Sequence, residues 1–301
     1  MPGSRKPYVT TGKEDKQMKV IGFGDNVVDR YMNKNLMFPG GNAVNFCVYA
    51  KQCGADAAYL GVFAEDREAR LLQETLKSLG IDTSHCAVEA GSTTERYDVN
   101  LVDGDRVFVA DEERETSHGP KILETADLEY LKQFSLIHSG CYAEEEDEIR
   151  KLKEVRALVT FDFSCEAEYR EDEFLNKICP YIDMALFSAE EMDAEQVKAL
   201  QQKVIGLGTP YILVTDGIKG QILYDGKNYY KGTVKLVEPV DTMGAGDSFF
   251  TSFAVTLLNK GWKKGEPLKE EMIKEAFEFA AEFSANNCLK EGAFGFGAPI
   301  E

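Results

Sequence analysis

Apolar positions along this chain fall into short blocks separated by polar, acidic stretches. Lys19-Val20-Ile21-Gly22-Phe23-Gly24 is a brief apolar run ending in glycines and predicts a first strand. Asn42 to Gln52 carries small and apolar residues at helical spacing, and Gly54 stops it. Ala57 to Val62 predicts another short strand. Glu65 to Leu79 is amphipathic, with Leu71, Leu72, Leu76 and Leu79 on one side and Gly80 as its stop. Thr93 to Val102 and Arg106 to Ala110 flank Asp103-Gly104-Asp105, a hairpin signal. From Asp127 onward helix and strand alternate, with apolar strands at Leu136-Ile137-His138, Leu158 to Phe161, Met184 to Phe187 and Tyr211 to Thr215. A second hairpin, Ile222 to Tyr224 and Tyr229 to Thr233, turns at Asp225-Gly226-Lys227-Asn228. Two helices close the chain, roughly Asp247 to Asn259 and Leu268 to Leu289. This alternation predicts an α/β fold: a mostly parallel sheet with helices on both faces. No internal repeat is present, and the run Glu144 to Glu148 reads as the solvated start of a helix.

Length sharpens this picture, since 301 residues suffice for one large domain that needs no disulfide or structural metal. The 52 acids against 34 bases give a net charge of −18. That balance argues against nucleic acid and against an anionic membrane surface as partners. It leaves room for a small anionic ligand held by backbone N–H groups and a metal ion. Seven cysteines without a C-x-x-C, and three histidines, give no zinc spacing and fit free thiols in a reducing cytoplasm. No apolar run approaches the ~20 residues of a membrane span. Residues 1–17 are polar and aperiodic, and are expected to be a flexible extension, native or appended.

The densest chemistry lies in Asp241-Thr242-Met243-Gly244-Ala245-Gly246-Asp247-Ser248-Phe249. Small residues leave the backbone uncovered where an apolar helix begins. The first N–H groups of a helix have no intrahelical partner and bind anions, aided by the helix dipole. A carboxylate at Asp247, beside such an anion hole, can take the proton of an attacking hydroxyl. Taken alone, the same residues also read as a helix cap and a chain turn.

The whole nonapeptide resembles the second signature, D-T-x-G-A-G-D, of the PfkB family of carbohydrate and nucleoside kinases, with every fixed position present. Gly40-Gly41-Asn42-Ala43-Val44-Asn45 resembles the family's first signature, and Gly24-Asp25-Asn26-Val27-Val28-Asp29 the segment just upstream. Val214-Thr215-Asp216-Gly217-Ile218-Lys219-Gly220 resembles its V-T-x-G-x-x-G. Ser188-Ala189-Glu190-Glu191 stands in the place of N-x-x-E, with Ser188 where asparagine is usual. The four matches occur in family order across residues 18 to about 298.

The resemblance implies a ribokinase-like fold with a small β lid from about 30–39 and 91–112. It implies ATP-dependent transfer to a sugar hydroxyl, with Asp247 as base and Gly244, Ala245 and Gly246 as the anion hole. Asp29, Gly41 and Asn45 are implied as sugar ligands, with Asp25 and Asn42 beside them. Thr215, Gly217, Gly220 and Ser188 would line the ATP site, and Glu191 would hold Mg²⁺ through water. A K⁺ site near Asp241 and the loop before Gly292-Ala293 would follow from likeness to ribokinase. A homodimer would follow if a second lid covered the exposed edge of the first.

Within the family, G-D-N-V-V-D, G-G-N-A-V-N, D-R-V-F at Asp105 to Phe108 and F-D-F-S at Phe161 to Ser164 are similar to the bacterial fructoselysine 6-kinase group. This points to the C6 hydroxyl of fructoselysine or a related fructosamine as acceptor. Arg106, just past the lid turn, would then pair with the substrate's carboxylate, with His138 and Tyr97 lining the same cleft. Fructokinase, ribokinase and nucleoside kinase activities stay open as alternatives. So does a non-catalytic sugar-binding protein, which would not need the anion hole and its acid. A Rossmann dehydrogenase fits poorly. Val27 stands at its third glycine, and no acid lies between Arg30 and Ala55 to hold a ribose. A P-loop kinase is excluded because no G-x-x-x-x-G-K-[ST] occurs.

Overall fold

The computed structural model describes residues 18–109, 118–189 and 192–300. Its first half runs β1 (Lys19–Phe23), β2 (Val27–Tyr31), β3 (Leu36–Gly40), α1 (Asn42–Gln52), β4 (Asp56–Leu60), β5 (Val62–Phe63), α2 (Arg67–Ser78), β6 (Ala87–Val88), β7 (Glu95–Val102), β8 (Asp105–Phe108) and α3 (Thr125–Leu131). Next come β9 (Leu136–Gly140), α4 (Glu146–Ile149), β10 (Leu158–Asp162), α5 (Asp172–Ile178), β11 (Met184–Ser188) and α6 (Ala194–Gly206). The chain continues with β12 (Tyr211–Thr215), β13 (Gln221–Tyr224), β14 (Tyr229–Gly232), α7 (Ala245–Asn259), α8 (Glu270–Asn287) and β15 (Ala298–Pro299).

Eight strands form the main sheet in the order β14-β13-β12-β11-β10-β9-β1-β4. Six, from β12 to β4, pair in parallel, and at one edge β13 pairs antiparallel with both β12 and β14. The inner strands are buried on both faces, as their unbroken apolar runs require. Each face has its own apolar core. One joins α1, α2, α7 and α8 through Phe46, Leu72, Phe250, Phe253 and Phe277. The other joins α3, α5 and α6 through Leu131, Phe163, Leu175 and Val204. Local signals fix the helix starts. Asp66 accepts from Ala69 N–H at the head of α2, and Asp193 with Gln196 forms a capping box on α6.

A second sheet, β15-β3-β2-β7-β8, stands apart from the first. It takes in more chain than the expected lid of 30–39 and 91–112. It begins at Val27, pairs β2 with β7 in parallel, and recruits Ala298–Pro299. Residues 110–112 of that expected lid, and residues 1–17, lie outside the described residues. The acidic run 144–148 departs from expectation. Glu145 and Glu148 are buried, and their carboxylates accept the backbone N–H of Lys121 and Leu123. Periodicity alone could not show that a loop from 121 to 123 needed acceptors there.

Candidate active site

The site lies where β1, β9 and β10 end, facing the heads of α1 and α7 and the second sheet. Open α/β sheets bind ligands at this edge. Helix α7 begins at Gly244, whose φ of 68° is left-handed. A Cβ there would lie 2.3 Å from Tyr49 Oη and 3.1 Å from Ala293 Cβ, so glycine is required by both conformation and space. The N–H groups of Gly246 and Asp247 open the helix and have no partner within it.

Asp247 sits in the first turn of α7, its carboxylate held between two amides of α1. Asn42 Nδ2 donates to Oδ1 at 2.9 Å, and Asn45 Nδ2 donates to Oδ2 at 2.6 Å. Burial pushes the Asp247 carboxyl above its usual range. The two amides and the Arg106 guanidinium pull the other way. Asn42 also donates to Asp162 Oδ2 at 2.9 Å, and its Oδ1 faces His138 Nε2 at 2.9 Å.

Two acids named together from the sequence separate here. Asp25 is spent on structure: its oxygens accept the backbone N–H of Asn42 and Ala43 at 2.7 and 3.1 Å, capping α1 from outside. Asp29 lies within β2 and is buried. Among the described residues its carboxylate makes no hydrogen bond, so its acceptor lone pairs stay open. Burial lifts Asp25 to about 6 and both Asp29 and Asp162 to about 7. Gly41 precedes α1, its carbonyl accepting from Asn45 N–H at 2.7 Å.

Arg106 comes from β8 in the second sheet. It packs on Met243, with Nη1 3.1 Å from the sulfur, and its buried Nε has no hydrogen-bond partner. Its field reaches both Asp29 and Asp247, so it is no solvent-facing hairpin arginine. Asp241 is fully buried and ties its own loop to the end of β2 and to the loop at Gly292. It accepts from Tyr31 Oη at 2.7 Å, Met243 N–H at 2.9 Å and Gly292 N–H at 2.8 Å.

Of the residues expected to line the ATP site, Ser188 and Thr215 end β11 and β12 and are half-buried. Gly217 opens a short turn that Gly220 closes, with Gly220 N–H donating to the Gly217 carbonyl. Glu191, and Glu190 beside it, lie outside the described residues. Tyr97 lies in β7 opposite Asp29, its hydroxyl donating to Glu95 at 2.6 Å. His138 does not line the cleft as expected. It is buried beneath Asn42, stacked on Phe46 and tilted against Phe250. Asp162 was missed. Its signal was an acid at the end of a buried strand in an open sheet, within the F-D-F-S already noted.

Residues 15–299 match the family described as pfkB family carbohydrate kinase. Fructosamine kinase FrlD of Bacillus subtilis (strain 168) is 31% identical over 94% of this chain and 95% of its own length. Fructoselysine 6-kinase of Escherichia coli (strain K12) is 31% identical over 85% of this chain and 94% of its own. A Vibrio cholerae O395 fructokinase structure in a form bound to fructose, ADP and potassium ion superposes with a TM-score of 0.75. It is 21% identical and covers 94% of this chain and 96% of that one. This protein is thus an ATP-using carbohydrate kinase of ribokinase-like fold. The chain belongs to the pfkB family.

Proposed function

We propose that this kinase transfers the γ-phosphoryl group of ATP to the C6 hydroxyl of a fructosamine such as fructoselysine, with Asp247 as the base. The observation that carries the chemistry is the buried Asp247 carboxylate, fixed by Asn42 and Asn45 beside the open head of α7. A base so held needs no reorganisation when the hydroxyl arrives, and positioning dominates such transfers. Gly244, Ala245 and Gly246 form the hole for the transferring group. Asp29, with open acceptor sites, binds sugar hydroxyls together with Gly41 and Asn45. Asp25 and Asn42 support them by holding α1 and the base.

ATP enters with Mg²⁺ as substrate and lies along Ser188, Thr215, Gly217 and Gly220, with Glu191 ordering the metal's water. The free donors of Arg106 serve the carboxylate of the substrate's amino-acid part. The substrate reading draws support from the fructosamine and fructoselysine kinases that share 31% identity with this chain. K⁺ would sit against the loops that meet at Asp241. Its carboxylate already accepts three donors, so backbone carbonyls would supply most ligands. Activity independent of K⁺ argues against that site. Exposed Val107 and Phe108 lie on the edge strand β8, where a second copy could pair. A monomer in small-angle scattering removes the dimer.

The test is product analysis with purified protein, ATP and a panel of fructoselysine, fructose and ribose. Phosphorus–proton correlation spectra are expected to show one ADP and one 6-phosphate per fructoselysine consumed. Phosphate at another carbon, or turnover of fructose alone, overturns the substrate reading.

A further inference from the structure

We propose that His138, as its Nε2–H tautomer, is a positioning residue for phosphoryl transfer that locks the Asn42 amide so that both its N–H bonds point at carboxylates. The proposal rests on the reading of Asp247 as the base. The geometry forces each step. Asn42 Nδ2 lies 2.9 Å from both Asp162 Oδ2 and Asp247 Oδ1, so its two hydrogens are committed. Ionised carboxylates only accept, so with Asp247 and Asp162 ionised the amide oxygen must face away from them. It faces His138 Nε2 at 2.9 Å. An amide oxygen only accepts, so Nε2 must carry a hydrogen. The other ring nitrogen, Nδ1, lies 2.9 Å from Thr160 Oγ1, a hydroxyl able to donate to it. Burial drives the imidazole's own titration down to about 3, which leaves one proton on the ring, at Nε2.

The ring is itself immobilised. It stacks on Phe46 with centroids 4.6 Å apart and meets Phe250 at 5.2 Å. Asn45, the other amide on Asp247, has no such anchor, and its Oδ1 is buried without a partner. Only one of the two amides is therefore held from behind.

The consequence falls on proton transfer. Groups facing Asp247 are the carboxylates of Asp25, Asp29 and Asp162, the Arg106 guanidinium, and the Tyr49 hydroxyl. Burial makes ionisation of the base harder, and the base's charge in turn makes ionisation of Asp25, Asp29 and Asp162 harder. The Asn42 amide offsets this by donating to two of the acids at once. Without His138 the amide is free to turn its oxygen toward them. Both acids then become harder to ionise, and the acid limb of activity moves to higher pH.

Two experiments on the full-length protein decide the matter. Nitrogen-15 NMR of labelled histidine is expected to show His138 as the neutral Nε2–H tautomer throughout pH 5.5–8.5. An Nδ1–H tautomer, or titration within that range, overturns the proposal without any variant. In pH profiles of kcat/KM, His138→Leu is expected to lose about tenfold at neutral pH, the size of one hydrogen bond to a charged group. Its acid limb is expected to rise by about one pH unit. His138→Gln places an N–H near the Nε2 position and is expected to recover activity to within about threefold and to return the limb. Leu and Gln variants with the same limb, whether wild-type or shifted, contradict the proposal. If Asp247→Asn keeps wild-type kcat, the base reading fails while the tautomer result stands. If Asp247→Asn is inactive but His138→Leu has a wild-type profile, only the role of His138 fails.

Discussion

The proposed acceptor half and the proposed nucleotide half of this site are built in different ways. Around Asp247, side chains from α1, β9, β10 and α7 hold one another through buried hydrogen bonds, with Asn42 alone touching three partners. Around Gly217 and Gly220 the site is a surface turn. Its side-chain bonds are local and exposed, such as Lys219 to Asp216. Ile218 points into solvent. The first half holds the Asp247 carboxylate in place through Asn42 and Asn45, as the proposed proton transfer requires. The second, in the proposed reading, would present backbone to a large ligand that brings its own charge and metal. Substitutions in the first should strike turnover or acceptor binding, and those in the second should strike ATP affinity.

The largest expected effect comes from Asp247→Asn, which keeps the shape and removes the base. Asn45 can turn its amide to meet the new one, so the fold should tolerate the change. Loss of general-base catalysis is typically ~10²–10⁴-fold. Steady-state kcat should fall by that much while acceptor affinity by calorimetry stays near wild type. A variant within threefold of wild type would break the assignment of the acceptor half.

Asp29→Ala should act on binding instead. Leaving substrate hydroxyls without their charged acceptor costs roughly 1.5–3 kcal/mol, or about 10- to 150-fold in affinity. The acceptor KM should rise accordingly, with KM for ATP unchanged. An unchanged acceptor KM would make Asp29 a structural residue.

Gly220→Ala probes the other half. Gly220 has φ 105° and ψ −155°, a region closed to alanine, and a Cβ there would lie 3.1 Å from the Gly232 carbonyl oxygen. Backbone strain of roughly 1–3 kcal/mol should be relieved by moving the turn. KM for ATP is expected to rise about fivefold or more, with acceptor affinity intact. If both substrates weaken together, the two halves are less independent than the structure implies.

The smallest effect is on stability. Burial raises the Asp29 carboxyl from 3.8 to about 7. A carboxyl that protonates more readily in the fold favours folding below its unfolded value, and that advantage is lost as pH rises from about 4 to about 7. Asp29→Asn removes the penalised charge, and no side-chain hydrogen bond to a described residue is lost. Without substrate, its melting temperature at pH 8 should exceed wild type by about 2–4 °C. The gap should close as pH falls toward 4. A constant gap across pH would mean that Asp29 is not the group titrating.

The parts of this molecule legible in sequence are those whose cause is local. The start of α7 follows from Gly244-Ala245-Gly246, and the alternation of strand and helix gives the parallel sheet. The family resemblance extends that reach by naming Asp247 and Asp29. Bonds between residues far apart in sequence could not be read. Asn42 meets Asp247 across 205 positions, Asp162 across 120 and His138 across 96. His138 was expected to line the cleft with Tyr97. The structure buries it between two phenylalanines, where its one proton has a fixed address. Asp25 and Asp29, four positions apart, were both named toward the sugar, Asp29 ahead of Asp25. Only the path of the chain shows that one is consumed by the head of α1 and the other is open. Burial of Glu145 and Glu148 was hidden for the same reason, since their partners belong to a loop more than twenty residues away.

The proposed acceptor pocket takes a sugar that carries an amino acid, with the unpartnered Nε of Arg106 beside Asp29 and the base. The most direct test is the ratio of kcat/KM for fructoselysine to that for fructose, measured with the same enzyme at saturating ATP and Mg²⁺. The account requires fructoselysine to be preferred by about tenfold or more, the scale of one added hydrogen bond to a charged group. Equal efficiency on the two sugars would contradict it, leaving a pfkB kinase whose pocket reads only the sugar.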